Sequence, residues 1–206
     1  MTTLLQINTS IFSDGGQSSR LAERFVAAWV ESNPGGTVTV RDLAKEPVPH
    51  IDAGRFGAFL AKPAERTTEQ RAVADYSDAL IDELKGADVI VLGLPMYNFG
   101  PPSTLKAYFD HVARAGVTFR YTDSGPVGLV TGKKVYVFAA RGGLYAGTPR
   151  DTQTQYVRDF LAFLGMNDVE FVYAEGLAVS EAAKHQGIAR AHAHIDRLVR
   201  PEMAVA

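Results

Sequence analysis

Val89-Ile90-Val91-Leu92-Gly93-Leu94-Pro95-Met96-Tyr97-Asn98-Phe99-Gly100-Pro101-Pro102-Ser103 decides the fold. Its first four residues are apolar and largely β-branched, the pattern of a short buried strand. Ser103 is a good N-cap residue, and Leu105, Tyr108, Phe109 and Val112 then recur at helical spacing. Between strand and helix stands a loop with two aromatic rings, an amide and a glycine. In open α/β sheets ligands bind outside the carboxyl ends of the strands. Pro95 to Gly100 therefore reads as a binding loop for a flat heterocycle with polar edges.

Working outward, the same alternation repeats. Strands are expected at Leu4 to Ile7, Thr37 to Val40, Val89 to Leu92, Val135 to Phe138 and Val169 to Tyr173. One helix carries Leu21, Phe25, Ala28 and Trp29 and stops near Gly35-Gly36. The next opens on Thr67-x-x-Gln70, a capping-box pattern, and ends at Gly86. The helix after Ser103 is expected to reach Gly116. Another carries Tyr156, Val157, Phe160, Leu161 and Leu164 before Gly165, and the last runs from Ser180 to about Arg200. This alternation implies one α/β domain over residues 1–206, a doubly wound five-stranded parallel sheet with helices on both faces. A ligand loop after the third strand fits the flavodoxin-like order, whose switch point lies between the first and third strands.

Two segments stand outside this plan. Leu43 to Arg66, with Pro47, Pro49 and Pro63, reads as a long loop of the kind that is often functional. Val117 to Val130 alternates Val117, Phe119 and Tyr121 before Ser124-Gly125-Pro126, which suggests a projecting hairpin.

The chain of 206 residues has a net charge of −2, which offers no electrostatic case for nucleic acid or an anionic membrane surface. The absence of Cys excludes disulfides, thiolate metal sites and thiol nucleophiles. Met1 to Gln6 shows no signal-peptide pattern, and prolines break the longest uncharged run, so a soluble cytoplasmic protein is expected.

Two further loops fall at the same sheet edge. Thr9 to Ser19 offers hydroxyls, two glycines and a helix start, which can hold a phosphate without a lysine. The spacing matches neither Gly-x-Gly-x-x-Gly nor the Gly-Lys-Ser/Thr phosphate loop, so a monophosphate fits better than a pyrophosphate. Taken alone, this loop reads more simply as one in which Ser18 or Ser19 merely caps the helix. After the fourth strand come Ala139-Ala140-Arg141-Gly142-Gly143. Glycines there can turn backbone amides toward a ring that gains negative charge on reduction, and the Arg141 side chain is expected to point to solvent.

Pro95-Met96-Tyr97-Asn98-Phe99, Ala113-Arg114-Ala115-Gly116-Val117-Thr118-Phe119-Arg120-Tyr121 and Gly128-Leu129-Val130-Thr131-Gly132-Lys133-Lys134, together with Arg141-Gly142-Gly143, resemble the FMN-dependent NADH-azoreductases among the flavodoxin-like quinone reductases. The similarity runs nearly the whole chain in register, through Thr39-Val40-Arg41-Asp42-Leu43 and Ala174-Glu175-Gly176. The resemblance implies a homodimer with one FMN per subunit. It also implies two-electron transfer from NADH, or less favourably NADPH, to quinones and azo compounds. It assigns Ser10, Gly16, Gln17 and Ser18 to the phosphate region, Met96, Tyr97, Asn98 and Phe99 to the ribityl chain and ring, and Ala140, Arg141, Gly142 and Gly143 to the ring's polar edge. Ala140 stands where the family often has Ser, and Gly16 where relatives often carry a hydroxyl.

Phe119, Tyr121, Phe56, Phe59 and Phe163 are more aromatic surface than one such domain obviously buries. The resemblance makes Phe119, Phe163 and Phe59 walls of a substrate pocket shared across a two-fold dimer. No catalytic side chain is required, because the flavin carries the chemistry. No metal is expected: His192 and His194 are two apart on a helix and share no face. The alternative function is a flavodoxin-type electron carrier or redox-sensing FMN protein without small-molecule turnover.

Overall fold

The computed structural model describes residues 2–199. Five strands form a parallel sheet: β1 (Thr3–Asn8), β2 (Thr37–Asp42), β3 (Val89–Pro95), β6 (Lys134–Ala140) and β7 (Asp168–Ala174), in the order β2-β1-β3-β6-β7. The order reverses between β1 and β3, so the five-stranded flavodoxin-like reading holds and the switch point falls where the sequence placed it. A separate antiparallel pair, β4 (Phe119–Thr122) and β5 (Gly125–Gly128), is the hairpin expected within Val117 to Val130.

Because strand side chains alternate, each central strand feeds two cores. On one face Leu5, Ile7, Ile90, Leu92, Val135 and Val137 meet α3 (Thr68–Gly86), α4 (Ser103–Val112) and α5 (Thr154–Leu164). On the other, Leu4, Val91, Phe138 and Val172 meet Leu21, Phe25 and Trp29 of α1 (Gln17–Ser32) and Ala191 and Ile195 of α6 (Glu181–Val199). Each large apolar side chain buried this way contributes about 1.5–3 kcal/mol. Toward the carboxyl end of β1 the α1-facing positions turn polar: Gln6 and Asn8 are both buried, and the Gln6 amide donates to Asn8 Oδ1 at 3.0 Å.

Several boundaries differ from the sequence reading. The capping box is present, with Thr67 and Gln70 bonding each other's backbone, and α5 ends on Gly165 at φ 104. Ser103 is not an N-cap; it is the first helical residue after Pro102, and no side chain caps α4. That helix stops at Val112, because Thr118 folds back to accept from the Arg114 N–H and to donate to the Val112 carbonyl. The expected long loop holds α2 (Ala53–Leu60), started by Asp52 accepting from the Arg55 N–H, and a short 3-10 turn at Pro63–Glu65. Ser180 precedes α6 and accepts from the Ala183 N–H. The expected end of that helix near Arg200 lies outside the described residues.

Candidate functional site

A cleft of about 340 Å³ opens beyond the carboxyl ends of β1, β3 and β6. It is lined by Ser10, Gly16 and Gln17 from the first loop, by Met96 and Tyr97 from the second, and by Ala140, Arg141 and Gly142 from the third, with Phe12, Pro95 and Leu177. The three sequence-predicted loops therefore converge. Among these lining residues Arg141 alone carries a charge, so an anion here would depend on dipoles and hydroxyls.

At one end stands the start of α1. Its N-cap is Gly16 and no side chain caps it, so first-turn N–H groups are left open. Neither Ser18 nor Ser19 acts as a cap; both lie inside the helix, fully buried, and their Oγ atoms have no hydrogen-bond partner among the described residues. Buried unpaired hydroxyls beside a positive helix end fit a phosphate group. The loop itself is tightly built. A Cβ at Gly16 would fall 2.2 Å from Ser10 Oγ, and Ser13, at φ 50, donates a hydrogen bond to the buried Asp42 carboxylate. Ser10 Oγ also bonds Tyr97 Oη at 3.3 Å, joining the first loop to the second.

At the other end the β3 loop turns through Asn98 and Phe99, both at positive φ (49° and 65°) and both exposed. Left-handed backbone at non-glycine residues costs about 1–2 kcal/mol each and persists only where surroundings impose it. Two reciprocal backbone bonds between Tyr97 and Gly100 close the turn. The Phe99 ring meets Tyr145 edge-on at 5.7 Å.

The β6 loop faces it. The carbonyls of Gly142 and Gly143 are taken from behind by the N–H groups of Ala178 and Gly176, whereas their own N–H groups find no acceptor among the described residues. Two unspent backbone donors at a cleft edge suit an atom that gains negative charge. A Cβ at Gly142 would meet Ala178 at 3.3 Å, and one at Gly143 would fall 2.6 Å from the Tyr145 ring.

Arg141 corrects the sequence reading. Its side chain does not reach solvent but is fully buried, with Nη2 donating to Asp151 Oδ1 at 2.8 Å and Nη1 to Glu175 Oε1 at 3.2 Å. Thr154 Oγ1 accepts from the same Nη2, and the guanidinium lies over the Tyr173 ring at 5.0 Å. Glu175 Oε1 also accepts the N–H groups of Tyr145 and Ala146. Burial raises the pKa of the Asp151 carboxyl, but hydrogen bonds from Arg141 and Thr154 outweigh it, and the group titrates below the usual carboxylate range.

The three phenylalanines do not line this cleft. Phe119 is buried against its own core, 4.3 Å from the Phe163 ring, where α5 meets the hairpin. Phe59 lies under the Arg114 guanidinium at 4.5 Å, on a separate cavity of about 590 Å³ lined by Lys62, Arg66, Asp78 and Asp82. That cavity is larger but sits away from the strand ends, and Arg114 on its wall is already paired with Asp78 and Ser77. Sequence reasoning missed Asp151, Gln153 and Tyr145; the Asp151-x-x-Thr154 pattern was a usable signal, since Asp151 accepts from the Thr154 N–H at 3.1 Å. Among the described residues no cluster of three acidic, His or Cys side chains could hold a metal, and no helix is long and apolar enough to cross a membrane.

Comparison with known proteins gives a family model of the flavodoxin-like fold matching residues 2–199. An FMN-dependent NADH:quinone oxidoreductase of Cellvibrio japonicus is 57% identical over 197 residues, 96% of this chain and 98% of that one. A protein of that description from Burkholderia lata is 56% identical, covering 93% and 96%. Among solved structures, an azoreductase from Bacillus anthracis superposes with a TM-score of 0.88 at 30% identity, covering 97% of this chain and 99% of that one. A FMN-dependent NADH-azoreductase from the same species, in complex with FMN, gives 0.85 at 28% identity, covering 97% and 100%.

Proposed function

The chain belongs to the flavodoxin-like fold family, and from that premise we propose that it is an FMN-dependent NADH:quinone oxidoreductase that also cleaves azo compounds reductively. The observation that carries the reading is an uncapped helix start at one end of the cleft, with buried unpartnered serines in its first turn, and the unspent N–H of Gly142, followed by that of Gly143, at the other. The FMN-dependent relatives, 57% and 56% identical over nearly their full length, supply the activity by similarity. FMN, when bound, supplies two-electron hydride chemistry; the chain supplies place and field.

In this reading Ser10, Gly16, Gln17 and Ser18 hold the phosphate through N–H and hydroxyl donors. Met96, Tyr97, Asn98 and Phe99 wall the ribityl chain and ring, and Ala140, Arg141, Gly142 and Gly143 bound its polar edge. Ala140 brings only backbone. The open face of the cleft admits NADH, or less favourably NADPH, and then quinone or azo acceptor in turn. Phe59 and Phe163, both half-buried, enter this reading only through a homodimer, as walls offered to the partner's cleft, whereas Phe119 is spent on its own core. Phe56 and Tyr121, 55% and 74% exposed, are the apolar surface that supports such an assembly. A cytoplasmic location is part of the proposal.

The test is one anaerobic spectrum. The purified protein should be yellow, should bleach on NADH and should recover its colour on adding a quinone. A colourless protein that takes up no added FMN would overturn the reading.

A further inference from the structure

Gln153 lies just before α5, fully buried, and lines no part of the cleft. Its Nε2 donates to the carbonyls of Pro95 and Gly100, both at 2.9 Å, which are the two ends of the β3 loop. Its neighbour Thr152 donates a hydrogen bond to the Phe99 carbonyl between them. Two residues earlier, Asp151 receives Arg141 from the β6 loop. One run of three residues thus grips both loops that face the ring end, the β3 loop through Thr152 and Gln153 and the β6 loop through Asp151.

We propose that Gln153 is a positioning residue: it fixes the β3 loop, and with it the gap between the two ring-binding loops, without touching the cofactor. This rests on the FMN reading above. Both acceptors are carbonyls, and the Gln153 amide, with two protons on Nε2, serves both at once from the start of α5. The Asn98–Phe99 turn, at positive φ, is closed by its own Tyr97–Gly100 backbone bonds, and the Gln153 and Thr152 bonds tie that closed turn to the start of α5. Freed of the Gln153 bonds, the turn keeps its own closing bonds but is no longer anchored at its two ends, so it shifts as a unit and the ring loses the alignment of that wall with the Gly142 and Gly143 donors. The phosphate end, built on β1 and α1, is unaffected.

The experiment compares FMN with riboflavin, which lacks the phosphate, on the wild-type protein and on Gln153→Met, a side chain of similar length that donates nothing. Affinity is read from flavin fluorescence quenching and the two-electron midpoint potential from redox titration. We expect Gln153→Met to weaken FMN and riboflavin by a similar factor of about ten. The reduced flavin should lose about tenfold more than the oxidised, a fall of about 30 mV. Thr152→Val, at an exposed position and safe for folding, should shift both readouts in the same direction by less. Ser18→Ala serves as the contrast and should weaken FMN while leaving riboflavin unchanged. If Gln153→Met lowers thermal stability while affinity and potential stay at wild-type values, the residue is merely structural and the proposal is overturned. Wild-type protein that binds neither flavin would overturn the FMN reading itself, and this proposal with it.

Discussion

At the scale of single residues, the site rests on close approach and buried pairing. Gly16→Ala would place a methyl group 2.2 Å from Ser10 Oγ and 2.5 Å from its Cβ, so either the loop or Ser10 must move. FMN affinity should fall at least about tenfold with little change in melting temperature, checked by fluorescence titration beside a thermal scan. Arg141→Met leaves Asp151 and Glu175 as buried carboxylates without their cation. It should cost about 3 kcal/mol, on the order of 10 °C in Tm. The folded pKa of Asp151 lies below its unfolded value. Its contribution is therefore complete above the ordinary carboxylate range and is lost as pH falls through the depressed value. Asp151→Asn should flatten the acid limb of stability below about pH 4, measured as Tm against pH. An unchanged limb would mean another carboxylate governs it. Arg141 also shows where sequence reading stops. An arginine after a strand and before two glycines looks like a surface residue, and only the fold brings Asp151, Glu175 and Tyr173 around it.

At the scale of elements, local signals were legible wherever a side chain acts on its own neighbours. Thr67 with Gln70, Gly165 after α5 and the alternation around Phe119 all did so, and each produced the expected element. Thr67→Ala should lower stability by about 1 kcal/mol, read by chemical denaturation. Elements shaped by distant partners were not legible. The eight residues of α2 carry two glycines and hide among prolines; their start is marked only by Asp52 and their place by packing on α3. Likewise α4 loses its expected last turn because Thr118 claims the Arg114 and Val112 backbone. The hairpin depends on a contact that no propensity reveals. A Cβ at Gly128 would fall 2.1 Å from the Gly165 nitrogen, so Gly128→Ala should detach β5 from the end of α5 and raise protease sensitivity there.

At the scale of the whole molecule, strand order and the cleft's place followed from the alternation of elements and the loop after β3. The three loops named from sequence meet at one edge. The aromatic rings divide: Phe119 and Phe163 pack together on their own core, while Tyr121 and Phe56 stay open. The proposed dimer predicts about twice the chain mass in sedimentation, and Tyr121→Ser should weaken association more than it weakens FMN binding. His111 links the α2, α3 and α4 layer to pH. It is buried between the rings of Phe59 and Tyr76, its Nε2 has no partner among the described residues, and burial lowers its pKa. The unfolded chain therefore takes up this proton first, and stability should fall as pH drops below about 6.5. His111→Gln should weaken that dependence, leaving the part owed to His192, whose pKa burial also lowers.

The switch point between β1 and β3 also has a consequence in time. β1 is the first strand made, yet Leu4 pairs with Val89 and Thr3 with Thr37, so neither of its ladders can close until a crossover has been completed. The third wall of the cleft arrives later still, with Ala140 and Gly142. Long loops must close before their contacts reward them. The cleft is thus among the last features to assemble, and a cofactor that binds it meets an already ordered sheet. Flavin should then leave the refolding rate nearly unchanged and slow unfolding, lengthening the lifetime of the native state more than it hastens its formation.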